Sequence, residues 1–170
     1  RLGPEDLRDP RVAALVEAGG AVPARSAAFV VGRFLADPFY AYEVHLAERD
    51  GRGALLVSRC VEHDDARALR LVTVVGHPVA LAGTGSALLE LLRRHDAEHA
   101  ELQIAGAGDA PAAAGLHSVA GIPGLVVPSR YDPFEASGAP LRYALRGRSG
   151  QHLLARGDAD QDRPNRPGAD

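Results

Sequence analysis

Leu69-Arg70-Leu71-Val72-Thr73-Val74-Val75-Gly76-His77-Pro78 leads through Val79-Ala80-Leu81-Ala82 and Gly83-Thr84-Gly85-Ser86 into Ala87-Leu88-Leu89-Glu90-Leu91-Leu92-Arg93-Arg94, and these residues decide the fold. Leu69 to Val75 is short, apolar and β-branched, the pattern of a buried strand. Gly76-His77-Pro78 stops it. Gly83-Thr84-Gly85-Ser86 closes the loop, and leucines on one helical face follow. A strand that feeds a glycine turn at a helix start gathers unpaired N–H groups and positive potential. Such a place holds a phosphate or pyrophosphate.

Upstream of this stretch the pattern gives two more strands. Tyr42, Val44 and Leu46 alternate with Glu43 and His45, so Tyr42 to Glu48 reads as a half-buried strand. Asp50-Gly51, followed by Gly53, signals a hairpin. Ala54 to Val61 is the second strand, and His63-Asp64-Asp65-Ala66 is a second turn. Short turns between consecutive strands make an antiparallel meander. Two helices precede it. The first carries Val12, Leu15 and Val16 and ends at Gly19-Gly20. The second covers Arg25 to Ala36 and is broken by Asp37-Pro38.

Downstream, Ala100 to Ala105 reads as a fourth strand, reached by a helical crossover that permits parallel pairing. Asp109-Ala110-Pro111 opens a short helix closed by Gly115. Gly124 to Val127 and Leu141 to Leu145 read as two last strands. From Gly147 the chain is rich in Gly, Asp, Arg, Gln and Pro. Residues 1–146 are therefore expected to form one domain and residues 147–170 a mobile tail.

At 170 residues, with 46% hydrophobic and 24% charged residues, the chain is one domain's worth of globular protein. A net charge of −3 and 5% aromatic residues give no case for nucleic acid. No apolar run is long enough to span a membrane. One cysteine, Cys60, rules out an internal disulfide and suits a reducing cytoplasm. The absence of methionine fits a chain trimmed from something longer, with an upstream domain or a homodimer as expectations.

The order helix, helix, three antiparallel strands, glycine loop, helix, strand, short helix, two strands resembles the GNAT superfamily of acyl-CoA-dependent N-acetyltransferases. Arg49 to Gly53 looks like that family's first hairpin, and Gly83-Thr84-Gly85 like the second half of its pyrophosphate loop. Ala112 to Leu116 looks like the end of its short helix. The pattern from Ile122-Pro123 through Tyr131-Asp132-Pro133-Phe134 to Leu145 resembles the closing strands of members that act on sugars or peptidoglycan precursors.

The resemblance implies an α/β (α+β) fold, a mixed and mostly antiparallel sheet with helices on both faces. It implies an acyl group moved from acetyl-CoA or another acyl-CoA to an amine of a small metabolite or amino sugar. The ligand would lie where the third and fourth strands splay apart, against Val74 and Val75. The amides of Gly83, Thr84, Gly85 and Ser86 would face its pyrophosphate. Glu43 or His45 could serve as general base, a solvated strand face being the alternative, and His77, where the cleft would open, is a third catalytic candidate, a plain surface histidine being the alternative. Two departures stand out. Ala80 replaces a polar loop residue, and no tyrosine lies between Asp109 and His117. The alternative is a degenerate domain that serves as scaffold, interaction or ligand-binding module.

His95-Asp96-Ala97-Glu98-His99 matches an inverted zinc-protease motif, with a helix end that simply favours histidine as the other reading. His63-Asp64-Asp65 could seed a metal site or form only a turn. Cys60, within an apolar strand, reads as an inert buried thiol.

Overall fold

Alternating apolar residues become a four-stranded sheet in the computed structural model, which describes residues 1–21, 23–120, 122–128, 130–131, 134–135 and 152–158. Strands β1 (Glu43–Arg49), β2 (Arg52–His63), β3 (Ala66–Gly76) and β4 (His99–Leu102) lie in that order. The first three pair antiparallel, and β4 runs parallel to β3. Asp50 and Gly51 both take positive φ, 51° and 71°, which fits the tight β1–β2 turn.

Helices cover both faces. Helix α1 (Pro10–Glu17) is capped by Asp9, whose Oδ1 accepts from the Arg11 N–H at 2.8 Å. Helix α2 (Ala27–Val30) starts at the Ser26 cap and continues as a π turn, Val31–Leu35. Val16, Val30 and Phe34 from this layer pack on Leu55, Val57, Val72 and Val75. On the other face a 3-10 turn, Pro78–Gly83, precedes helix α3 (Gly85–His95). Leu81, Leu88 and Leu91 there pack on Leu56, Leu69, Leu71 and Val74. The expected mixed, mostly antiparallel sheet is present.

One irregularity shapes the middle of the sheet. Val57 faces Thr73 while Ser58 faces Leu71, so Val72 is an extra residue in β3. Such a bulge bends its strand and strengthens the local twist. At the same level the parallel ladder stops, its last pair being Leu71 and Leu102. Across that ladder Arg70 donates to Glu101, a buried ion pair, and also to the Pro128 carbonyl at 3.3 Å. Beyond it the chain turns away as β5 (Ile104–Ala105), followed by α4 (Ala110–Ala113), the hairpin β6 (Arg130–Tyr131) and β7 (Phe134–Glu135), and β8 (Leu154–Ala155).

Three expectations change. The fourth strand is interrupted at Gln103, because β5 pairs with β8 and not with β3. Residues 124–127 form a turn and irregular backbone, with Leu125 and Val126 about half exposed (48% and 51%); β-branching alone does not make a strand without a neighbouring edge. Residues 152–158 are packed. Leu153 and Gly157 are buried, and Arg25 ties the segment down by donating to the Leu153 carbonyl at 2.9 Å and pairing with Asp158 at 2.6 Å. Arg33 donates to the Gly157 carbonyl at 3.1 Å. The expected strand at 141–145 lies outside the described residues, as does most of the expected tail.

Candidate functional site: a groove between the first strand and the third helix

On β1, side chains at alternate positions Glu43, His45, Ala47 and Arg49 share the face toward α3. Leu88 and Leu91 draw α3 toward β3, which leaves a groove of about 540 Å³ between the helix and β1. His45, Arg49, Ser58, Gly83, Thr84 and Arg94 are among its lining residues. The groove follows the helix from Thr84 to Arg94, about 15 Å at the usual rise per residue.

At one end stands the start of α3. Thr84 is its N-cap but makes no capping bond; its Oγ1 donates instead to the Leu81 carbonyl at 2.7 Å, and its N–H bonds the same oxygen at 3.0 Å. The N–H groups of Gly85, Ser86 and Ala87 have no partner within the helix by position, and no acidic residue occupies the first turn. The helix dipole adds positive potential there. Arg49, whose Nε lies 3.6 Å from the exposed Asp50 carboxylate, brings its Nη1 to 3.9 Å from where a Cβ on Gly83 would be and adds positive charge there. This end suits an anion.

At the other end lie titratable groups. Glu43 Oε2 stands 3.6 Å from His45 Nε2 and 3.5 Å from His95 Nε2, while Arg1 pairs with Glu43 Oε1 at 3.2 Å. The two imidazole contacts are too long for hydrogen bonds. Glu43 Oε2, both ring nitrogens of His45, His95 Nε2 and Ser58 Oγ are buried without a hydrogen-bond partner among the described residues. Burial pushes the His45 pKa below its ordinary value, with Arg94 and Arg1 adding to the effect and Glu43 opposing it. The shift favours the neutral imidazole, the form able to accept a proton.

The groove thus unites His45 with Gly83 and Thr84, and Glu43 stands directly beside His45. Gly85 is packed behind the loop, where a Cβ would meet the Ala114 carbonyl at 3.0 Å, and Ser86 is exposed. Val74 and Val75 are brought elsewhere, into the cores on opposite faces of the sheet. Arg25 donates to the Val74 carbonyl at 3.5 Å, and residues 153–157 fill the gap between the parting strands. Val75 also lines a second cavity, about 390 Å³, with Glu17, Arg25 and Ser26.

His77 has a local role, which its place in the loop did not reveal. It caps the 3-10 turn, its Nδ1 accepting from the Val79 N–H at 3.2 Å, and its Nε2 lies 3.2 Å from Arg52. Burial and then Arg52 lower its pKa.

The zinc-protease motif dissolves in the fold. Asp96 turns left-handed with φ 51° and ends α3, so His95 and His99 share no helical face, and His99 opens β4. Among the described residues no group of three His, Cys, Asp or Glu side chains is arranged to hold a metal ion. His63 stacks on Phe134 at 3.8 Å, and His117 is exposed. Cys60 is partly buried, and desolvation raises its thiol pKa, as an inert thiol requires. Among the described residues no helix is long and apolar enough to cross a membrane.

Pattern reading missed His95 and Ser58 as groove-end residues. The pairing of Ser58 with Glu43 across the hairpin was available from the register of the turn; the approach of His95 required the tertiary fold. No protein-family model matches the chain, and neither a curated protein nor a solved structure matches it.

Proposed function

We propose that the groove is the active site of an acyltransferase that moves an acyl group from acyl-CoA, acetyl-CoA being the simplest donor, to an amine of a small metabolite. One observation carries this reading: an uncapped helix start beside Arg49 at one end of the groove, and a half-buried imidazole with both ring nitrogens unpaired, beside a carboxylate, at the other. The mixed, mostly antiparallel sheet with one parallel crossover pair is compatible with that chemistry. The pyrophosphate is assigned to the helix start and Arg49, and the thioester to the His45 end. The amine nitrogen attacks the thioester carbonyl, its new bond to carbon replacing the bond from carbon to sulfur. His45 takes the proton that the nitrogen loses, and the departing thiolate takes a proton from solvent, to which His45 then returns its own. Glu43 stabilises the imidazolium formed meanwhile.

The test is release of free thiol from acetyl-CoA with a panel of amines, together with a rise in melting temperature on adding acetyl-CoA. Both are expected for the wild type, and His45→Gln should keep the thermal shift while losing thiol release. Absence of both effects in the wild type refutes the proposal.

A second reading, that of a scaffold or interaction module of the same shape, is favoured by the packed segment 152–158. It fills the gap in which the resemblance would seat the ligand. That reading expects no acyl-CoA binding, and a stable partner or a homodimer in its place.

A further inference from the structure

Ser58 is 1% exposed, and its Oγ has no hydrogen-bond partner among the described residues, although it lines the groove. A buried hydroxyl without a partner is uncommon enough to call for an explanation. Its placement is set by the backbone. Ser58 lies directly opposite Glu43 in the β1–β2 ladder, beside the point where the extra residue Val72 shifts the register with β3. Register shifts of this kind often re-aim a side chain next to a site. His45 is two residues along β1 from Glu43 on the same face, so Ser58 and His45 are diagonal neighbours across two strands. Ser58 Oγ and the His45 ring nitrogens, unsatisfied like Glu43 Oε2 between them, are therefore diagonal neighbours at one end of a groove also lined by Ala47, Leu56 and Leu71.

A simple alkylamine would engage His45 and leave Ser58 unpaired, at the cost of a desolvated hydroxyl. A hydroxyl on the carbon next to the amine carbon would supply the missing partner. We propose that Ser58 is a specificity residue, and that the acceptor is a vicinal amino alcohol, held by its amine at His45 and by its hydroxyl at Ser58. Diagonal neighbours on a sheet are close enough for an amine and a hydroxyl on neighbouring carbons to reach both; an amino sugar is one molecule of that class. This inference rests on the acyltransferase reading for the position of the amine.

The test compares two probes that differ by one hydroxyl, trans-2-aminocyclohexanol and cyclohexylamine, by calorimetric titration into the full chain with CoA present. The wild type should bind the amino alcohol about fivefold more tightly, the scale of one net hydrogen bond. Ser58→Ala should abolish that preference, and Ser58→Thr, which keeps the hydroxyl, should restore it. Equal binding of both probes by the wild type, or a preference that survives in Ser58→Ala, overturns the inference and leaves the amine-binding reading standing. Binding of neither probe overturns both.

Discussion

Glu43 Oε2 and His45 Nε2 are 3.6 Å apart in a buried groove end, close enough for charge to matter and too far for a hydrogen bond. The carboxylate tempers what burial does to the imidazole without fixing its proton. Burial holds the His45 pKa below 6.5, and Glu43 raises it part of the way back.

The first prediction is a pH dependence. The unfolded chain binds the His45 proton near 6.5, whereas the folded chain binds it only at lower pH. The stability tied to this group is therefore complete above about 6.5 and is lost as pH falls through the folded value. Melting temperatures measured from pH 7.5 to 5 should fall less steeply for His45→Gln than for the wild type. Glu43→Gln should move the His45 midpoint lower still, seen by NMR of the ring. An unchanged midpoint would show that the two groups do not interact.

Gly83 and Gly85 should respond differently. A Cβ at Gly83 meets only Arg49, at 3.9 Å, so Gly83→Val should fold with an unchanged melting temperature while crowding the helix start and weakening CoA binding. A Cβ at Gly85 lies 3.0 Å from the Ala114 carbonyl, a backbone atom that cannot step aside cheaply. Gly85→Val should therefore lose about 1–3 kcal/mol of stability. Thermal melts of the two variants check this directly, and equal stability would contradict the packing described.

The segment 152–158 should prove structural. Gly157 has no room for a methyl group: a Cβ would lie 2.9 Å from Val72 Cγ1 and 3.2 Å from both Phe34 Cζ and Thr73 Cβ. Gly157→Ala should cost about 1–3 kcal/mol. Ending the chain before residue 152 should cost more than about 3 kcal/mol, since it removes buried Leu153 and leaves Arg25 buried without its carboxylate. Denaturant melts that coincide with the wild type would contradict this.

Legibility in the sequence followed the range of the interaction. The strands of the meander were visible because alternation in Tyr42 to Glu48 and the Asp50-Gly51 turn are local signals. Helix α3 was visible in its leucines. The 3-10 turn at Pro78–Gly83 looks like plain loop in the sequence, since a single turn shows no periodicity even though Ala80 and Leu81 are core residues. Residues 152–158 look like tail in the sequence because their order comes from Arg25 and Arg33, more than a hundred positions away. In the groove, Glu43 and His45 were legible from strand parity. His95 sits in a metal-like motif in the sequence, and the fold gives it to Glu43 across 52 positions, a partnership that local spacing does not encode.

The most direct measurement is the amide NMR spectrum of the protein titrated with CoA. The predicted result is saturable shifts confined to the N–H groups of Gly83 to Ala87 and to the groove side of β1, Arg49 and His45 included. CoA that leaves those amides unmoved, or that moves only residues around Arg25 and Val75, would contradict the assignment of the groove.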